Sequence, residues 1–252
     1  MRSALASGIP ATARYPAVLL ALFVLTFIAL GVAPSFRQDW LLENLLVFAS
    51  VAVLGVTYPR FRFSDPAYTL LFAFLILHEV GAHYTYSLVP YDDWSARWLG
   101  FSFNESLGLE RNHYDRLIHF AYGALLFLPS MELLQSVAPS RGIWRYLLPM
   151  LFIWSQSLLY ELVEFAAALV FGGELGAAYL GTQGDVWDAQ KDMACAVFGT
   201  ALAVGVYRAR MWASSKSERS SGFGPSGNES SNRPTTAPAC MPSSTPKRPS
   251  EA

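Results

Sequence analysis

The sequence predicts an all-α fold: a polytopic transmembrane helical bundle of about six spans, followed by a disordered C-terminal tail. Three observations predict it. The 252 residues are 53% hydrophobic and only 15% charged, and the charges crowd into gaps between apolar runs. Several of those runs reach the roughly 20 residues a helix needs to cross a hydrocarbon core. None shows the alternation of a barrel strand, so helices are left to satisfy the backbone in lipid.

The first run covers residues 16–33. Arg2 and Arg14 precede it, and Gly31-Val32-Ala33 resembles a cleavage site. The run is nonetheless longer than the roughly 7 to 15 residues of a signal core, and Pro34 would follow the cut, so a retained helix is expected. The second run covers residues 41–57. The third, 66–84, has Asp65 placed to cap it and Pro66 in its first turn. The remaining three are 115–135, 147–171 and 188–207. After Trp212 the composition turns to Ser, Pro, Thr, Gly and Asn, which predicts a transmembrane domain over 1–212 and a disordered cytoplasmic tail over 213–252.

Short connections separate the basic residues by side. One side holds Arg2, Arg14, Arg60, Arg62, Arg141, Arg145, Arg208 and Arg210, the other Arg37, Arg97 and Arg111, so both termini are expected in the cytoplasm. Cys195 and Cys240 offer neither a disulfide framework nor a zinc spacing. A net charge of -1 argues against general nucleic-acid affinity and leaves membrane lipids as the expected partner. Two longer connections, 85–114 and 172–187, fall on the outer side. The first carries Trp94 and Trp98, which suit headgroup depth.

Ionisable residues within spans are expensive and mark sites. All four histidines lie between His78 and His119, beside carboxylates. At 1.5 Å per residue, His78 and Glu79 stand roughly 18 to 20 Å along the third helix, with His83 near its outer end. Glu79 and His83 share a face, as do Asp115 and His119 at the start of the fourth helix, after Asn112 and His113 and beside Arg116. A carboxylate bonded to one imidazole nitrogen raises the basicity of the other, which suits a metal ligand or a general base; helix capping by Asp115 is the structural alternative. Glu161 and Glu164 lie one turn apart inside the fifth helix, where an ionised carboxylate needs a partner. Asp185, Asp188 and Asp192 form a stripe opening the sixth, and capping explains Asp192 least. The topology brings these groups to one membrane level. Carboxylates with imidazoles suit a divalent cation such as zinc, manganese or iron, although no H-E-x-x-H spacing is present.

From about residue 41 to 207 the chain resembles the YjdF-like family of bacterial inner-membrane proteins, a domain of unknown function. The matching strings are His78-Glu79 with Gly81-Ala82-His83-Tyr84-Thr85-Tyr86, Asn112-His113-Tyr114-Asp115-Arg116 with His119-Phe120, Glu161 with Glu164, and Gly181-Thr182-Gln183-Gly184-Asp185 with Trp187-Asp188-Gln190-Asp192-Met193. The resemblance implies the bacterial inner membrane as the location. More distantly the second half is similar to VanZ-like membrane proteins. Asp115-Arg116, His119-Phe120, Glu161, Asp192 and Gly199 fit that pattern, while Ala196 stands where it usually has Asn and Glu164 where it often has Gln.

Three functional readings follow. The first is an enzyme acting on a lipid or lipid-linked envelope precursor at the outer leaflet. His119, activated by Asp115, would be its base; Asp115, Glu161 and Asp192 would complete its catalytic set, and carboxylates would bind a cation. His78, Glu79, His83, His113, Arg116, Glu164, Asp185 and Asp188 would line the pocket. The second is a proton- or cation-coupled transporter, in which Glu161, Glu164 and the histidines form a relay. The third is a structural protein whose polar cluster locks the bundle.

Overall fold

A computed structural model describes residues 11–173, 176, 180 and 182–221. Among the described residues the regular structure is helical: α1 (Ala11–Gly31), α2 (Arg37–Thr57), α3 (Asp65–Tyr84), α4 (Tyr91–Leu99), α5 (Phe103–Leu107), α6 (Tyr114–Val137), α7 (Trp144–Phe171) and α8 (Asp188–Ser221). Five of these, α1, α2, α6, α7 and α8, are long and apolar enough to cross a membrane. α3 matches them in length, with 20 residues, but His78, Glu79 and His83 dilute its apolar character at one end. It packs against α1, α2 and α6, and with it the bundle accords with about six spans. Apolar side chains such as Leu25, Val56, Leu162 and Val170 remain exposed on the outside, as a lipid-facing surface requires.

The helices run longer than the apolar runs that announce them. α2 starts at Arg37, ahead of the expected residue 41, because Asp39 sits in its first turn, where a carboxylate is favoured. Ser64, rather than Asp65, caps α3, its hydroxyl accepting from the Ala67 N–H at 3.3 Å. The compositional change at Trp212 does not end α8, since Ala213, Lys216, Glu218 and Arg219 beyond it keep helix propensity and the next breaker is Gly222. The rest of the expected tail, 222–252, lies outside the described residues, as do Arg2 and Gly181. The chain divides into two units, Met1–Met211 and Trp212–Ala252, and everything below concerns the first.

Polar contacts pin the bundle at two levels. At one, Ser64 bonds Glu132 through its N–H at 2.8 Å and its hydroxyl at 2.5 Å, and Arg145 donates to the Tyr207 hydroxyl at 3.2 Å. Phe127, Met131 and Ile153 form the core beside this level. At the other, the Ser35 N–H donates to the His83 carbonyl at 2.8 Å and the Tyr114 hydroxyl to the Leu77 carbonyl at 2.9 Å. Tyr86, Val89, Tyr114 and Ile118 pack there. α6 and α8 cross backbone to backbone. A Cβ on Gly123 would lie 2.1 Å from the Ala196 carbonyl oxygen, and one on Gly199 would lie 2.1 Å from that of Phe120. This crossing sets the distance between the functional side chains of the two helices.

Candidate functional site

The start of α6 presents Asp115 and His119 on one face. α7 brings Glu161 and Glu164 to the same place, and α8 brings Asp188 and Asp192. His119, Glu161, Glu164, Asp188 and Asp192 are all buried. His119 Nε2 stands 3.4 Å from Glu161 Oε1 and 3.7 Å from Asp115 Oδ1. Asp115, His119 and Asp192 each direct one ligand atom into a space where all three atoms lie within 4.8 Å of one another. Glu161 Oε1 and Asp192 Oδ1 are buried without a hydrogen-bond partner. Asp115 supplies no side-chain cap to α6; in the turn before α8, Asp185 Oδ1 accepts from the Trp187 N–H at 3.1 Å.

An ion-pair network closes one side of this centre. Arg116 Nη2 reaches Asp185 Oδ2 at 2.5 Å and Asp188 Oδ1 at 3.2 Å, and its Nε lies 3.9 Å from Asp192 Oδ1. Arg111 Nη2 stands 2.7 Å from Asp188 Oδ1, while the exposed Lys191 donates to Asp185 at 2.7 Å. Outside the spans, the Lys191 hydrogen bond leads the effects that hold the Asp185 carboxyl well below the usual carboxylate range. The connection before α6 is zipped to the turn before α8. Asn112 and Gln183 exchange bonds at 3.1 and 3.0 Å, and Arg111 donates to the Thr182 carbonyl at 2.7 Å. The strings around 112–116 and 182–192 are therefore two halves of one assembly.

The histidines divide. His119 belongs to the centre. His78 shares a cavity of about 340 Å³ with Asp115 and His119, and its Nδ1 lies 2.6 Å from the Tyr86 hydroxyl. Gly81 leaves room for that tyrosine, since a Cβ there would fall 2.5 Å from its ring. His113 stands at the rim with Nδ1 3.3 Å from Arg116 Nη1; burial first, then the Arg116 and Arg111 charges, lower its pKa. His83 lies apart, its Nδ1 2.7 Å from the Leu30 carbonyl at the end of α1.

Glu79 is not beside His119 but faces α2, where Asp39, Glu43 and Asn44 are buried too. Asn44 stands next to Glu79, yet its amide nitrogen is committed to the Trp40 carbonyl at 2.8 Å, and neither Glu79 oxygen has a hydrogen-bond partner. Tyr160 joins the two groups. Its hydroxyl donates to Glu43 Oε2 at 2.7 Å, and its ring meets the His119 ring at 6.0 Å between centroids. Asp39, Glu43 and Asn44 were not among the residues singled out from the sequence, and Arg111 entered only as a charge that sets orientation. The signal existed, because Asp39 and Glu43 stand four apart and share a helical face once α2 is started at Arg37.

A bundle of apolar helices that gathers carboxylates, imidazoles and guanidiniums at one level defines a polytopic integral membrane protein with a buried polar centre. The chain belongs to the family described as "Predicted membrane protein (DUF2238)", which matches residues 15–212 and so contains every residue of the centre. It is similar to the Inner membrane protein YjdF of Escherichia coli (strain K12), with 38% identity over 189 residues, covering 74% of this chain and 85% of that one. No solved structure matches it significantly.

Proposed function

We propose that this protein is a membrane enzyme that hydrolyses a lipid or lipid-linked envelope precursor at the outer face of the inner membrane. Asp115, His119 and Asp192 would hold a divalent cation. The observation that carries this reading is the convergence of three ligand atoms within 4.8 Å, beside a buried, unpartnered Glu161 oxygen. Asp115 and His119 are 3.7 Å apart, too far for the hydrogen bond that would make His119 a base. The separation fits two ligands that each sit roughly 2.0 to 2.2 Å from a shared ion. The base role then falls to Glu161. A water beside the cation loses a proton to Glu161, its oxygen bonds to the ester centre, the ester bond breaks, and the departing oxygen takes the proton back from Glu161.

The donor set supports a cation, since Glu161 Oε1 and Asp192 Oδ1 stay without a hydrogen-bond partner while Arg111, Arg116 and Lys191 pair with Asp185 and Asp188. The outward placement rests on the basic residues of the opposite connections. An enzyme is favoured over a transporter because the neighbouring cavity between α1, α2 and α3 is lined mainly by apolar side chains such as Leu20, Phe23, Val51 and Phe72, with Tyr58 and Tyr68 the exceptions, which offers a passing ion a poor path.

Elemental analysis of the detergent-purified protein tests the reading. One equivalent of a transition metal is expected per chain, lost in Asp192→Asn while that variant stays folded and monodisperse. Lipid profiling of a deletion strain should show a precursor that wild-type protein removes and Glu161→Gln does not. Metal content equal in Asp192→Asn and wild type, or full complementation by Glu161→Gln, overturns it.

A further inference from the structure

The cavity that reaches Asp115 and His119 is amphiphilic along its length. Its polar end carries His78, Asp115, His119 and Tyr160, and its other end Leu54, Leu71, Leu75 and Leu126. On α6 the lining runs from Asp115 to Leu126 and on α3 from His78 back to Leu71, which at 1.5 Å per residue is roughly 10 to 16 Å of depth. Half of a hydrocarbon core about 30 Å thick is the same distance. The cavity thus descends from the site level to about the bilayer midplane. Its volume of about 340 Å³ is that of a small-molecule site rather than a packing defect.

Its side wall is thin. α2 packs on α3 but makes no comparable contact with α7, although both line the cavity, α2 through Val47 and Ser50 and α7 through Gln156 and Val163. The Tyr160 to Glu43 hydrogen bond spans the gap at the polar end. Leu46 and Leu159 flank it and stay about half exposed toward lipid. A ligand can therefore enter from within the leaflet without crossing the aqueous rim, where Arg111, Arg116, Asp185 and Asp188 are locked together.

We propose that the gap between α2 and α7 is a lateral portal for a phosphate-bearing amphiphile, one aliphatic chain of which lies in the cavity with its headgroup at Asp115, His119 and Asp192. The chain seat rests on the cavity alone; the headgroup assignment rests on the cation reading above. Carboxylates repel an anionic head in the absence of a cation, and a divalent ion held by a few carboxylates completes its shell with phosphate oxygens. Tyr160 acts as the latch of the portal, since it is the side chain that bonds both walls together.

Photolabelling tests this. The full-length protein is placed in phosphatidylcholine and phosphatidylglycerol nanodiscs with a single-chain acyl phosphate carrying a mid-chain diazirine, irradiated, and mapped by peptide mass spectrometry. Adducts are expected on α3 around Leu71 and Leu75 and on α7 around Val163. Leu75→Trp and Val47→Trp, which fill the seat, should each lower them by about tenfold. Leu75→Ala should retain them, and Tyr160→Phe should speed their appearance. Adducts spread evenly over the lipid-facing helices, or undiminished in both Trp variants that still bind metal, overturn the proposal. Metal binding is measured on the same samples. If labelling follows the Trp variants while Asp192→Asn still binds metal normally, the portal and seat stand and the cation reading falls.

Discussion

Gly199→Ala tests how the site is held together. The added Cβ would lie 2.1 Å from the Phe120 carbonyl oxygen and 2.9 Å from the Ala124 nitrogen, both backbone atoms of α6. Ordinary carbon contacts begin near 3.5 Å, so α8 has to retreat by about 1 Å or more, because no side chain can rotate away instead. Overpacking costs about 1 to 3 kcal/mol, and a backbone-to-backbone clash belongs at the upper end. For a domain of this size 3 kcal/mol corresponds to a fall in Tm of about 6 to 12 °C. The same retreat carries Asp192 away from Asp115 and His119. Metal sites tolerate only about 0.2 Å in ligand position, so cation affinity should fall with stability. Thermal unfolding in detergent and metal titration read both effects. Gly205→Ala is the control, since nothing lies within 4 Å of a Cβ there, on the same helix; it should leave Tm unchanged or slightly raised. A Gly199→Ala protein with wild-type Tm and wild-type metal affinity would refute the close crossing and the claim that it sets the site.

Arg116→Ala should cost about 2 to 3 kcal/mol, less than the roughly 3 to 5 for a fully broken buried pair, because Arg111 stays 2.7 Å from Asp188; an unchanged Tm would show that the network contributes nothing. The pH dependence should carry the signature of His113, which burial and the Arg116 and Arg111 charges hold below its ordinary value of 6.5, against the smaller opposing pull of Asp188 and Asp185. The folded state takes up that proton less readily than the unfolded chain, so stability is full above 6.5 and falls as pH drops through the window below it. His113→Gln should flatten Tm in the window just below pH 6.5, and an equally steep slope in the variant would assign it elsewhere. Sidedness is measurable at Trp98, whose side chain is 78% exposed in α4. In a cysteine-free background, Trp98→Cys should react with an impermeant maleimide added to spheroplasts while Ser140→Cys stays protected, and the reverse pattern would invert the orientation.

Single residues show how much of this was legible in advance. Asp115 and His119 announce themselves because a four-residue spacing on one helix places them together whatever the rest of the chain does. Glu161 and Asp192 were legible as ionisable groups in apolar runs, and alternating helix directions predicted that they would meet the start of α6. His83 had the same credentials, yet it bonds the Leu30 carbonyl, since rotation about α3 turns it toward α1. Asp39 and Glu43 went unread because the apolar run starts after Asp39, whereas the helix starts before it. An apolar run reports what lipid tolerates; a helix boundary is set by backbone hydrogen bonding, and in α2 it lies a turn further out.

The sequence by itself determined that the chain is a helical membrane protein of about six spans and roughly where they begin. Those properties follow from transfer energies and segment length, which are local and additive along the chain. Only the tertiary structure decided which of those residues face each other. It drew Asp115, His119 and Asp192 into a single centre, set His83 apart, brought Arg111 to Asp188, and left an amphiphilic cavity between α2 and α7. Helix rotation and close approach fix such partnerships, and here they depend on Gly123 and Gly199 letting two backbones touch, a contact between positions far apart in the chain.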